Sequence, residues 1–163
     1  MGIFSLPQEC KIVEAIVPQA GGAITGDYVS LKGAARCFVV VHVNQADVAQ
    51  MTISLNRATA VAPADAAVIV TAVPIWANQD CAASDTLTAQ TAAVNFQLSA
   101  DLGHKQIVFE IDPAKLGQTA GGVPYDCIAV ATGASNAANI TQAAYYLTDL
   151  RYGAATPPSA ITD

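Results

Sequence analysis

Charge is scarce in this chain. Charged residues fill 12% of its 163 positions, seven basic against thirteen acidic, for a net charge of -6. That is about half the usual charged share. The basic residues Lys11, Lys32, Arg36, Arg57, Lys105, Lys115 and Arg151 stand singly along the chain. No basic run is present to neutralise a row of phosphates, which argues against nucleic acid as a partner. Histidine is nearly missing, with only His42 and His104, and none of the four cysteines sits at C-x-x-C spacing. A zinc site would need an unusual long-range assembly, so no metal or cofactor is expected. A leader pattern is also missing, because Met1 to Glu9 holds neither a basic region nor a long apolar core. The strongest apolar run, Ala66 to Ile75, contains Pro74 and falls far short of the ~20 residues a membrane crossing requires. No membrane association is expected, and without a secretory route Cys10, Cys37, Cys81 and Cys127 are expected to be free thiols.

What the chain has in quantity is apolar residues of small size. They make up 53% of positions, with alanine alone at about a fifth. There is ample apolar surface to bury, which excludes intrinsic disorder. The remaining surface is neutral and rich in Thr, Asn and Gln, a kind that resists association poorly by charge.

Alternation with period two dominates the pattern. Cys10 to Val17, Tyr28 to Lys32, Met51 to Arg57, Val94 to Leu98, Ile107 to Asp112, Tyr125 to Ala131 and Ala143 to Thr148 read as strands. Ala35 to Val43, with Val39, Val40, Val41 and Val43, reads as a strand buried on both faces. Val68 to Val73 reads as another, ended or bulged by Pro74, and Thr86 to Thr91 as one more. Pairs such as Gly21-Gly22 and Gly26-Asp27 supply turns between them. Pro113 to Leu116 suits a single helical turn. About nine short strands with no longer helix predict an all-β antiparallel sandwich or jelly roll. The expected organisation is one domain over residues 9–150, with extended arms at 1–8 and 151–163. Pro157-Pro158 favours extended geometry in the second arm.

Few residues suggest chemistry. His42 sits in a strand and His104 in a turn, and nothing in their spacing joins them. Asp80, Asp85 and Asp101 lie in loops at spacings that match no dense oxygen-ligand site. Glu110 and Asp112 face the same way on one strand without a second carboxylate across a cleft. No catalytic residue is assigned, and the chain is expected not to be an enzyme. Tyr145, Tyr146 and Tyr152 cluster near the C-terminus. Tyrosine suits interfaces because it joins an apolar body to a polar tip. With Arg151, Pro157 and Pro158 they form the candidate interface.

Several stretches carry a resemblance. These are EAIVPQAGGAITGDYVSLKG (Glu14 to Gly33), DTLTAQT (Asp85 to Thr91), VFEIDPAKL (Val108 to Leu116), YDCIAVATGAS (Tyr125 to Ser135) and YYLTDLRYGAATPPSAITD (Tyr145 to Asp163). In order and type they resemble small virion head proteins of tailed bacteriophages. The resemblance implies a structural protein of the virion, a capsid decoration or cement protein on the outer surface of the shell. It further implies the major capsid protein as partner, a homo-oligomer with a trimer favoured, and synthesis in the host cytoplasm. Two readings compete. One is a tail-tube or head–tail connector subunit. The other is a virion-displayed module that binds the host surface through Trp76, Asn78, Gln79 and Asp80, with a partly buried core anchor as the plainer role for Trp76.

Overall fold

The computed structural model describes residues 5–151 and 159–161. They contain one helical turn, α1 (Leu6–Glu9), and twelve strands: β1 (Lys11–Ala20), β2 (Ile24–Thr25), β3 (Val29–Ser30), β4 (Ala34–Gln45), β5 (Thr52–Ala58), β6 (Ala67–Val68), β7 (Val73–Asn78), β8 (Thr88–Ala93), β9 (Asn95–Gln97), β10 (Gly103–Ile111), β11 (Cys127–Thr132) and β12 (Ile140–Leu150). A 3-10 turn at Pro113–Lys115 follows β10, and the Asp112 carboxylate caps it by accepting from the Ala114 N–H at 3.0 Å. No described helix is long and apolar enough to cross a membrane.

Two antiparallel sheets form the body. The first runs β1-β12-β4-β10-β7-β8; the second runs β2-β11-β5-β6, with β3 also on β11 and β9 also on β5. With β6, β7 and β8 set aside as an insertion and β2 and β3 counted as one strand on β11, eight strands remain, and each changes sheet from the one before except the fifth, which stays beside the fourth. The first, eighth, third and sixth then lie side by side in one sheet, and the second, seventh, fourth and fifth in the other. That order defines a double-sheet jelly roll. The expected fold class is observed.

Alternation makes the core. On β4, Cys37, Val39, Val41 and Val43 point inward and are buried, as do Ile107, Phe109 and Ile111 on β10. Ile53 and Leu55 of β5 and Ile128 and Val130 of β11 meet them from the second sheet. Successive strand side chains project to opposite faces, so the residues between these are left outside. Phe38 and Val40 are half-buried there, and His42 and Asn44 are exposed. The expectation that Ala35 to Val43 is buried on both faces is therefore corrected. This strand is central in its sheet and covered on one side.

Other boundaries shift for local reasons. The stretch read as one strand before Pro74 is two, β6 and β7, in different sheets. Pro74 lies within β7, where the register with β8 breaks between Val73 and Ile75, as suits a residue without an N–H to donate. Residues 6–8, expected as part of an extended arm, belong to the α1 turn, whose first turn carries Pro7. At the other end, Ala160 is buried and its carbonyl accepts from the Ser30 N–H at 2.7 Å. This described part of the second expected arm lies against the chain's own β3.

Candidate interaction surface

The face of the first sheet that no other described element covers places apolar side chains in rows that run across the strands. In one row Glu14, Ala144, Val40, Val108, Trp76 and Ala89 are successive cross-strand neighbours from β1 through β12, β4, β10 and β7 to β8. Beside it, Ile12, Tyr146, Phe38 and Glu110 form a second row. Six strands at about 4.8 Å spacing make the longer row roughly 24 Å wide. Trp76 is 37% exposed and Ile12 47% exposed, while Phe38, Val40, Val108, Ala144 and Tyr146 are half-buried by one another. Contiguous apolar surface on one face is the mark of an interaction site.

Polar rows follow on the same face. Gln142, His42, Gln106 and Asn78 are cross-strand neighbours, and Ile140, Asn44 and His104 come next. The antiparallel register of β4 and β10 thus brings the two histidines to one face on neighbouring strands, which their sequence separation conceals. They line a shallow groove of about 330 Å³ together with Cys81. The Cys81 N–H donates to the His104 carbonyl at 2.9 Å, and its thiol leans toward the Asn78 carbonyl at 3.9 Å. Nothing here pairs the thiol with an imidazole. Among the described residues no group of three or more His, Cys, Asp or Glu side chains is placed to hold a metal.

The acidic residues singled out in sequence have local tasks. Asp80 accepts from the Ala82 and Ala83 N–H groups at 3.1 and 3.2 Å and so shapes its own turn. Asp112 caps the 3-10 turn and pairs with Lys115 at 3.6 Å. The Trp76–Asp80 group does not converge. Trp76 lies on the outer face rather than in the core, whereas Asn78 is buried with its amide donating to the Ser84 carbonyl at 2.6 Å. Gln79 accepts from the Ser99 N–H at 2.6 Å.

The expected interface residues separate. Tyr145 is wholly buried and offers no surface, which corrects its place in that set. Its hydroxyl accepts from the Val130 N–H at 2.8 Å and donates to the Asp27 carbonyl at 2.9 Å. Burial away from water pushes its ionisation well above the usual range. Tyr146, one residue on, points the other way and belongs to the apolar rows. Arg151 is exposed, and its backbone N–H donates to the Gly33 carbonyl at 2.9 Å. Tyr152, Pro157 and Pro158 lie outside the described residues.

One buried polar cluster escaped the sequence reading. Lys105 is 1% exposed on the inner side of β10, and its Nζ donates to the Ser99 carbonyl at 3.2 Å and to the Ser99 Oγ at 2.6 Å. Gln45 donates to the same carbonyl at 2.9 Å, while its own Oε1 is buried without a partner among the described residues. Desolvation lowers the Lys105 ionisation, and Asp101 and Asp80 partly oppose it. The cluster holds the β9–β10 connection against the end of the sandwich. Its only sequence signal is the inward parity of Lys105 between His104 and Gln106.

No protein-family model matches the chain, and no curated protein matches it. Among solved structures, it is similar to the SPBc2 prophage-derived protein YomS at 4% identity and a TM-score of 0.48, over 86% of this chain and 94% of that one. It is similar to a chain of the cowpea mosaic virus top component, naturally occurring empty particles, at 12% identity and a TM-score of 0.41, over 91% and 93%. A Clostridium thermocellum xylanase fragment with CBM22-1 and GH10 modules is similar at 8% identity and a TM-score of 0.35, over 91% of this chain and 27% of that one. Likenesses this distant say nothing of function, and the fold assignment rests on the strand pairing itself.

Proposed function

We propose that this chain is a non-enzymatic structural protein of a virus particle, a capsid decoration or cement protein that stabilises the shell by binding neighbouring capsid subunits. The observation that carries the reading is the apolar row from Ala144 to Ala89 across the outer face of the first sheet, which no other described element covers. A jelly roll is a rigid block, and an exposed sheet face on such a block gains affinity from buried area rather than from reacting groups. The acidic balance of the chain suits a place away from packaged DNA. A ligand that binds only the assembled shell raises its stability by mass action. The partner in this reading is the major capsid protein.

The test is addition of the purified chain to shells assembled from the capsid protein encoded with it. Saturable binding and a higher disruption temperature support the reading. Trp76→Asp and Val40→Asp should each fold yet fail to bind. Shells that disrupt at one temperature with and without the chain overturn it, and antibody labelling on tails rather than heads assigns the chain to the tail instead.

A further inference from the structure

A sheet edge offers unpaired N–H and C=O groups to any passing strand, and folded proteins guard such edges by recognisable means. Four edges can be compared here. The β1 edge carries Lys11, Glu14 and Pro18, and its register breaks twice against β12. The edges of the second sheet are short: β2, β3 and β6 have two residues each and β9 has three. Among the described residues, the β8 edge has no comparable guard of charge, proline or shortness. Thr88–Ala93 is six residues long without charge, proline or glycine, ends the first sheet, and leaves Thr88, Ala89, Thr91 and Ala92 exposed. The break against β7 lies beyond Gln90, so Thr88, Ala89 and Gln90 keep a regular register. The Gln90 side-chain amide folds back to donate to the Thr88 carbonyl at 3.1 Å, a bond that a neighbouring strand's N–H can replace.

We propose that β8 is a homotypic edge that pairs antiparallel with β8 of a second copy about a twofold axis, joining two six-stranded sheets into one of twelve. Three observations favour a second copy. An antiparallel strand meeting itself is self-complementary, the geometry of an isologous contact. The chain carries a net charge of -6, so copies repel through their acidic surface, whereas this strand brings no charge of its own to the contact. Finally, the apolar row ends on Ala89 beside Trp76, so edge pairing makes the rows of two copies continuous. Six residues span only about 20 Å of edge. The contact is below the size of a stable dimer, so association is weak in free solution and gains from copies held side by side.

Sedimentation equilibrium of the full chain over a wide concentration range tests this without any shell, so its outcome is separate from that of the decoration reading. The expected result is a dimer that dissociates on dilution. The double variants Ala89→Lys/Ala92→Lys and Ala89→Glu/Ala92→Glu should each weaken it at least about tenfold through like charges across the pair. An equimolar mixture of the two should restore it, which shows that both fold. A monomer at every concentration, a trimer, or a dimer untouched by both variants overturns the proposal. So does a dimer lost on Trp76→Asp but kept by the charged β8 variants, since it would be joined through the sheet face.

Discussion

Replacing Tyr145 with Phe removes a single oxygen from a place where it completes a ladder. The outer edge of β11 pairs with β2 at Ala131 and with β3 at Ile128, and between them the chain at Asp27 stands off. The Tyr145 hydroxyl fills that gap, taking the Val130 N–H and giving its proton to the Asp27 carbonyl. Since Tyr145 comes from the opposite sheet, this one group ties the two layers together. Phe keeps the ring and its packing. Val130 is wholly buried, so its N–H is left without a partner and without water. Such a group costs about 1–3 kcal/mol. Asp27 is exposed, and its carbonyl can turn to solvent at little cost. The expected loss is about 2 kcal/mol, or a fall in Tm of about 4–8 °C for a chain of this size. Urea and thermal unfolding of the two proteins measure it, with Tyr146→Phe on the outer face as a control that should stay within about 0.5 kcal/mol. A loss for Tyr145→Phe below about 0.5 kcal/mol would refute the reasoning, because it would mean that the ladder closes on itself or admits water.

Four further outcomes are expected. A Cβ added at Gly26 meets the Ala15 carbonyl oxygen at 2.5 Å, so Gly26→Ala should cost about 1–3 kcal/mol in urea unfolding. Asp112→Ala removes the cap on the 3-10 turn and should cost about 0.5–2 kcal/mol by the same measurement. Phe38→Asp, on the outer face, should fold with an unchanged circular dichroism spectrum while losing adhesion to shells. The Tyr145 ionisation is raised in the folded state above its ordinary 10.0. Its contribution is therefore complete below pH 10 and is lost as pH rises beyond it, because the unfolded chain gives up the proton first. Urea midpoints should fall above that pH, and less steeply for Tyr145→Phe.

The alternating strands made the two-sheet architecture legible, since inward Ile53 and Leu55 or Ile107, Phe109 and Ile111 declare a face by parity alone. The same parity misled where the outward residues were also apolar. Val40 between Val39 and Val41 turns an alternating strand into an unbroken run, and such a run reads as burial on both sides. Those outward residues are the candidate surface, so the feature that blurred the strand pattern is the one that marks the site. Tyr145 and Tyr146 show the converse. Adjacent in sequence, they were grouped as one interface, yet neighbours on a strand face opposite ways, and only one reaches the surface. The meeting of His42 with His104 depends on β4–β10 register, and the Lys105–Ser99 cluster on how the insertion returns to β9. Both are set by long-range pairing, which local pattern does not encode.

Three of the four thiols, Cys10, Cys37 and Cys127, are buried, and burial holds the first two in their protonated, unreactive form. Cys81 alone is exposed, on the connection between β7 and β8. A maleimide dye offered to the native protein should therefore attach at one position without any engineering. That position lines the histidine groove beside the start of β10, so a fluorophore there would report on whatever settles on that end of the outer face.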